Sequence, residues 1–185
     1  MNKTVLIFFI IALSFLGLNS LFTMDERQQG LVLQFGEPKR VIQSSGLHFK
    51  LPLIQNVVRY DVRILEYDLP IEEVIAVDKK RMLIDSFTRF KITDPLEFYK
   101  TVGTESSVRN RLNSNVISSL RRVVGRVTLE ELLSEERSNI MENIKVEVNN
   151  EASRFGIEVV DVRIRRADLP EANSQAIYEL SLIHI

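Results

Sequence analysis

The stretch TVLIFFIIALSFLGLNSLF, Thr4 to Phe22, runs for nineteen residues without a charge. As a helix it is about 28 Å long at about 1.5 Å per residue, close to the ~30 Å hydrocarbon thickness of a bilayer. A leader that is cleaved ends in small residues in an A-x-A-like pattern. Here the exit is Leu18-Asn19-Ser20-Leu21-Phe22, with bulky residues where a peptidase takes small ones. The sequence therefore predicts a retained signal anchor over 4–22, preceded by a short tail, 1–3. Lys3 and the free amine precede the segment and Asp25 and Glu26 follow it, which favours an inward N-terminus. Arg27, Lys39 and Arg40 also lie within reach on the far side, however, and positive residues are what count. Charge alone leaves the topology open.

The remaining residues are enough for a packed domain. Of the 185 residues, 45% are hydrophobic and 26% charged, a balance that supports folding. The net charge of −1 gives no general attraction to nucleic acid, and none is expected as a partner. The absence of cysteine removes disulfides, thiolate nucleophiles and thiolate metal sites together.

After the anchor, GLVLQFGEPKRVIQSSG carries short apolar runs cut by Gly30, Gly36, Pro38 and Gly46, the punctuation of small strands. In GLHFKLPLI the apolar Leu47, Phe49, Leu51 and Leu53 alternate with His48, Lys50 and Pro52. A period of two puts the apolar set on one face and His48 with Lys50 on the other. The longest strand candidate is RMLIDSFTRFKIT, with Met82, Ile84, Ser86, Thr88, Phe90 and Ile92 on one side. The turn Asp78-Lys79-Lys80 before it suggests a hairpin. Helical text begins at Asp94-Pro95-Leu96-Glu97, where a cap, a first-turn proline and an acid coincide. Val108, Leu112, Val116, Leu120 and Val124 recur at four-residue spacing, ending near Gly125. Thr128 and Glu131 form a capping-box pattern, read as opening one long helix that buries Leu129, Leu132, Leu133, Ile140, Ile144, Val148 and Phe155 and stops at Gly156. Period two then returns in IEVVDVRIRRAD, with Val160, Val162 and Ile164 inward. Strands, helices and a closing strand predict an α+β fold. The expected division is a strand-rich part, 24–93, and a helical part with the closing strand, 94–170.

Chemistry is sparse in this chain. His48 has no second histidine within four residues, and the other, His184, lies at the end, so neither a metal set nor a Ser-His-Asp triad is expected. No phosphate-cradling glycine motif occurs, and neither catalytic residues nor a cofactor is expected. The adjacent acids Glu72-Glu73, Glu130-Glu131 and Glu135-Glu136 face different directions and read as solvated surface. One asymmetry stands out. From Arg81 to Arg126 there are nine Lys or Arg against four Asp or Glu, and from Val127 to Phe155 seven acids against three bases. These are either two ordinary solvated faces or complementary faces of neighbouring protomers. In the second reading Arg121, Arg122 and Arg126 of one protomer meet Glu130, Glu131 and Glu135 of the next.

Three ordered stretches, DERQQGLVLQFGEPKRVIQSSGLHFKLPLIQNVVRYDVRI, VDKKRMLIDSFTRFKITDPLEFY and GIEVVDVRIRRADLPEANSQAIY, resemble the stomatin, prohibitin, flotillin and HflK/C superfamily, also called Band 7 or SPFH. GLHFKLPLI and DSFTRFKITD look more like the HflC branch than the HflK branch. The resemblance covers the chain from the anchor to about Tyr178. It implies a non-enzymatic scaffold that alternates with an HflK-like protein in a membrane ring or cage and modulates an FtsH-like protease. It also implies a bacterial inner-membrane location, with the N-terminus cytoplasmic and the domain periplasmic. The relevant alternative is a stomatin-like homo-oligomer that organises membrane without a dedicated protease. In such proteins the membrane-proximal part lies against the bilayer. Leu47, Phe49, Leu51 and Leu53 then face lipid or a neighbouring protomer, with Lys50 near headgroups; a half-buried core strand is the other reading. Residues 171–179 are expected to begin a long helix. The ending LSLIHI, 180–185, departs from the charged helix of such proteins and resembles a translated sequencing adapter, so a non-native tail is expected there.

Overall fold

The computed structural model describes residues 19–134 and 136–168, together with Ile7, Ser14 and Gly17. Those three residues, Asn19 and Ser20 are helical. Most of the expected anchor lies outside the described residues, among which no helix is long and apolar enough to cross a membrane. The expected segments 171–179 and 180–185, with His184, lie outside them as well. At the other end of the anchor there is a correction. Leu21 and Phe22 open strand β1 (Leu21–Met24), because they pair with Phe49 and His48.

Among the described residues every strand pairing is antiparallel. β1 pairs with β4 (Gly46–Phe49) in a two-stranded ribbon. β2 (Gln28–Gln34) lies between β3 (Glu37–Ile42) and β5 (Gln55–Asp61). β2 is buried on both faces, unlike a strand with a solvated side. Leu31 and Leu33 enter the main core with Tyr60. Val32 turns the other way, into a small cluster with Phe22, Met24, Ile42 and Val57. The ribbon sits close because Gly30 has no side chain: a Cβ there would lie 2.1 Å from the Met24 methyl.

The second sheet is built on β8 (Arg81–Ile92), whose burial alternates as its sequence predicts. β6 (Leu65–Asp68) and β7 (Glu72–Ile75) pair with different parts of β8, and β9 (Ile157–Asp168) pairs with it from Leu83 to Ile92. The expected division at residues 93 and 94 therefore runs through a sheet, because β8 and β9 are joined by hydrogen bonds across it. Met82, Ile84, Phe90 and Ile92 of β8 share the main core with Val159, Val162 and Ile164 of β9. Val160, expected inward beside them, is only half-buried, because the register shifts opposite Arg89 and Phe90 and displaces it from the alternation.

Among the described residues, four α-helices follow β8 and precede β9 in the chain. α1 (Pro95–Thr101) starts as the sequence dictates: the Asp94 carboxylate accepts from the Leu96 and Glu97 amides, and Pro95 occupies the first turn. α2 (Glu105–Val124) buries Val108, Leu112, Val116, Leu120 and Val124. The expected long helix after Thr128 is corrected to two. α3 (Leu129–Leu133) has the full Thr128–Glu131 capping box, but ends at Ser134, and α4 runs from Arg137 to Ala152. Ser134 ends the first helix chemically. Its backbone is extended, its hydroxyl donates to the Glu131 carbonyl, and it accepts from the Glu136 amide. Leu133 consequently stays exposed instead of entering the core.

α1 is the joint between the two sheets. The Tyr60 and Phe98 rings meet edge to face at 5.0 Å, and the Tyr60 hydroxyl donates to the Gly103 carbonyl at 3.5 Å. Burial, then the neighbouring Tyr99, pushes the Tyr60 pKa above its ordinary range. Tyr99 itself donates to the Gly36 carbonyl at 3.2 Å. On the other side, the Gly156 carbonyl accepts from both the Thr93 and Asp94 amides. Gly156 has φ 70°, and a Cβ on it would lie 2.4 Å from the Asp94 carbonyl oxygen. Gly156→Ala is therefore predicted to cost at least about 2 kcal/mol from left-handed strain plus that clash. A fall in the denaturant midpoint checks it; an unchanged midpoint would show that α1 is not seated on this turn.

Candidate functional site

The ribbon decides which side of GLHFKLPLI meets solvent. In β1, Phe22 and Met24 are buried while Leu21 and Thr23 are exposed. The pairs are Leu21 with Phe49, Phe22 with His48, and Thr23 with Leu47. His48 therefore shares the inner face with Phe22, their ring centroids 5.9 Å apart, and its Nε2 lies 2.8 Å from the Ser44 carbonyl oxygen. This ring is half-buried packing, with its Nε2 engaged by a carbonyl. Within β4 the expected alternation holds, with Leu47 and Phe49 facing out; Leu51 and Leu53 lie beyond the strand, in the connection to β5. Leu47, Phe49, Leu51 and Leu53 are all exposed, Leu53 to 97%.

Pairing geometry packs this outer face tightly along the ribbon. The Lys50 amide donates to the Ser20 carbonyl at 2.8 Å, which makes Ser20 and Lys50 a hydrogen-bonded pair. Two residues in each direction restores such a pair, so Leu21–Phe49 and Thr23–Leu47 are the non-hydrogen-bonded pairs, with their side chains closest. Leu21 and Phe49 thus form one apolar step at the end of the uncharged segment.

Sequence reasoning missed Phe35. It stands with Gly36 at the tip of the β2–β3 hairpin, both at positive φ (52° and 89°), and Phe35 is 83% exposed. Such two-residue turns favour Asn-Gly, and a bulky residue there carries strain. Leu53 is likewise left-handed, φ 70°. Because Gln34 pairs with Gln55 at the end of the ladder, Phe35 and exposed Ile54 leave the sheet at the same end. The signal in the sequence was QFGE, an aromatic residue inside a glycine turn between two strands.

The charged candidates are only partly gathered. Arg121 pairs with Glu72 at 2.9 Å and Arg122 with Glu147 at 3.1 Å, both within the chain. Glu131 accepts from the Thr128 amide in the capping box. Arg126 and Glu130 are exposed and have no ion-pair partner among the described residues, and Glu135 lies outside them. The hollow between α2 and α4, of about 390 Å³, is lined by Asn115, Ser118, Ser119, Arg122, Glu147 and Asn150. It contains no nucleophile paired with a base. Among the described residues no three metal-ligating side chains converge.

Residues 22–181 match the SPFH domain / Band 7 family. The chain belongs to that family. It is 32% identical to the protein named Protein HflC of Haemophilus influenzae, over 87% of this chain and 58% of the relative. It is 30% identical to Protein HflC of Buchnera aphidicola from Schizaphis graminum, over 96% of this chain and 65% of the relative. To the Escherichia coli K12 protein named Modulator of FtsH protease HflC it is 26% identical, over 96% of this chain and 67% of the relative. The chain thus spans 58% and 65% of the length of the first two relatives. The likeness to HflC proteins seen in the sequence motifs is borne out.

The outward face has a direct stability signature. Leu53→Ser and Phe49→Ser are expected to change unfolding free energy by less than about 0.5 kcal/mol. Met24→Ala, on the inner face, is expected to cost about 2–5 kcal/mol. Denaturant midpoints in mild detergent compare the three, and a Leu53→Ser cost equal to that of Met24→Ala would reverse the assigned faces.

Proposed function

We propose that this SPFH / Band 7 chain is a non-enzymatic, HflC-like scaffold subunit that assembles with an HflK-like partner and modulates an FtsH-like membrane protease. The observation that carries the reading is the continuity between the uncharged 4–22 segment and the exposed face of Leu21, Leu47, Phe49, Leu51 and Leu53. Monomeric soluble domains rarely leave such contiguous apolar surface uncovered. A single-pass anchor that holds this face against a bilayer covers it. The resulting arrangement is a bacterial inner-membrane protein with a cytoplasmic N-terminus, a periplasmic domain, and a strand-rich part nearest the membrane. The Escherichia coli relative is named Modulator of FtsH protease HflC, which supports the protease partner. The scaffold role is further supported by the single described histidine being held by Ser44 and Phe22 rather than by a nucleophile.

Tagging the chain in its native membrane and identifying co-purifying proteins by mass spectrometry tests this reading. Recovery of an HflK-like protein together with an FtsH-like protease is the expected result. Recovery of the chain alone as a large homo-oligomer contradicts it, in favour of a stomatin-like membrane organiser.

The subunit contact rests on a narrower set than the sequence offered. Arg121 and Arg122 are engaged within the chain, which leaves Arg126 facing the Glu130 region of the next protomer as the complementary pair. Arg126→Glu is expected to shift the assembly to smaller species, and the added Glu130→Arg to restore it. Native mass measurement reads both; an assembly unchanged by Arg126→Glu removes this contact.

A further inference from the structure

Two strained positions hold large apolar side chains at one end of the strand-rich part. Phe35 and Leu53 both have left-handed backbones, at φ 52° and 70°, and are 83% and 97% exposed. Among the described residues no packing offsets the cost of placing an aromatic and a branched residue there, since neither side chain is buried. Pairing of Gln34 with Gln55 at the end of the ladder puts them, with Ile54, at one tip, and Lys50 is tied to Ser20 at its edge.

Cations collect at the same end. Between Gln34 and Gln55 the charged residues are Glu37, Lys39, Arg40 and Lys50, three bases against one acid. Glu37 is already engaged by Lys39 at 3.4 Å. The Arg40 Nη2 donates to the Phe49 carbonyl at 2.6 Å, which puts the guanidinium on the peptide joining Phe49 to Lys50. Neither Arg40 nor Lys50 has an acidic partner among the described residues, so most donors of the guanidinium and all three of the ammonium are uncommitted to protein. The opposite end of the β2–β3–β5 sheet differs: Asp25, Glu26 and Asp61 balance Arg27, Arg59 and Arg63, and Asp61 is held below the usual carboxylate range by its hydrogen bonds from Arg63. Positive charge and exposed apolar surface thus share one end of the sheet.

We infer that this tip selects an anionic lipid surface: Phe35, Phe49, Leu51, Leu53 and Ile54 enter the apolar layer, while Arg40 and Lys50 hold headgroup phosphates at its rim. The inference rests on the membrane-anchored reading above and adds the lipid class to it. Guanidinium geometry matches phosphate oxygens bidentately, and lysine reaches the headgroup layer while its stem stays on apolar surface. Juxtamembrane cations respond to anionic lipid over about a Debye length, so the contact is specific to surface charge and screened by salt.

The cysteine-free sequence allows one clean probe: Leu53→Cys in the full chain, labelled with an environment-sensitive fluorophore and reconstituted in vesicles. Vesicles of phosphatidylcholine alone, or with about a third phosphatidylglycerol, carry a lipid-borne quencher. Quenching in both, stronger with phosphatidylglycerol, is expected. The inserted-to-withdrawn ratio should fall about fivefold for each of Arg40→Gln and Lys50→Gln in the anionic vesicles only. High salt should erase the difference. Lys50→Gln removes no side-chain hydrogen bond among the described residues, so its effect separates lipid contact from altered ribbon packing. Equal quenching in neutral and anionic vesicles overturns the lipid selectivity and leaves membrane contact standing. No quenching in either overturns both and assigns the tip to a protein partner.

Discussion

The register of a four-residue ribbon governs the rest. Phe22 and Met24 can enter the small core only because Gly30 lets β1 lie against β2, and that choice fixes every other side chain of the ribbon. Once Phe22 is inward, its partner His48 is inward, and Leu21, Leu47 and Phe49 are outward. A slip by one residue would bury the leucines and expose the histidine. The outward apolar face is thus a consequence of packing on the inner face, and it begins one residue after Ser20, where the helical trace of the chain ends.

The second half of the domain holds most of the main core, apart from the small cluster under the ribbon. β8 and β9 present a continuous apolar face to α2 and α4, and α1 ties this layered unit to the first sheet through Tyr60, Phe98 and Tyr99. Gly156 seats the start of α1 with its carbonyl and its missing side chain.

The periodic elements were legible in the sequence and the long-range choices were not. β8, the cap of α1 and the buried stripe of α2 follow from spacing and capping residues alone, because those interactions are local. The break at Ser134 was hidden, since Leu129, Leu132, Leu133 and Ile140 fit a helical spacing whether or not the helix is continuous. The alternation in GLHFKLPLI is visible, but its inner partners are Phe22, which reads as the last residue of the uncharged segment, and Met24, two residues further on. Phe35 and Arg40 were missed for a related reason: one becomes notable through the backbone angle it adopts, the other through a carbonyl nine residues away.

The most direct measurement is of the ribbon's register. Thr23 and Leu47 face each other as a non-hydrogen-bonded pair, and the chain has no cysteine of its own. Thr23→Cys with Leu47→Cys should close readily to an intramolecular disulfide under mild oxidation, since such pairs bring side chains within bridging range. Thr23→Cys with His48→Cys should remain reduced. The reverse outcome would place the histidine outward and the leucines in the core, and the apolar face on which the membrane-bound account depends would not exist.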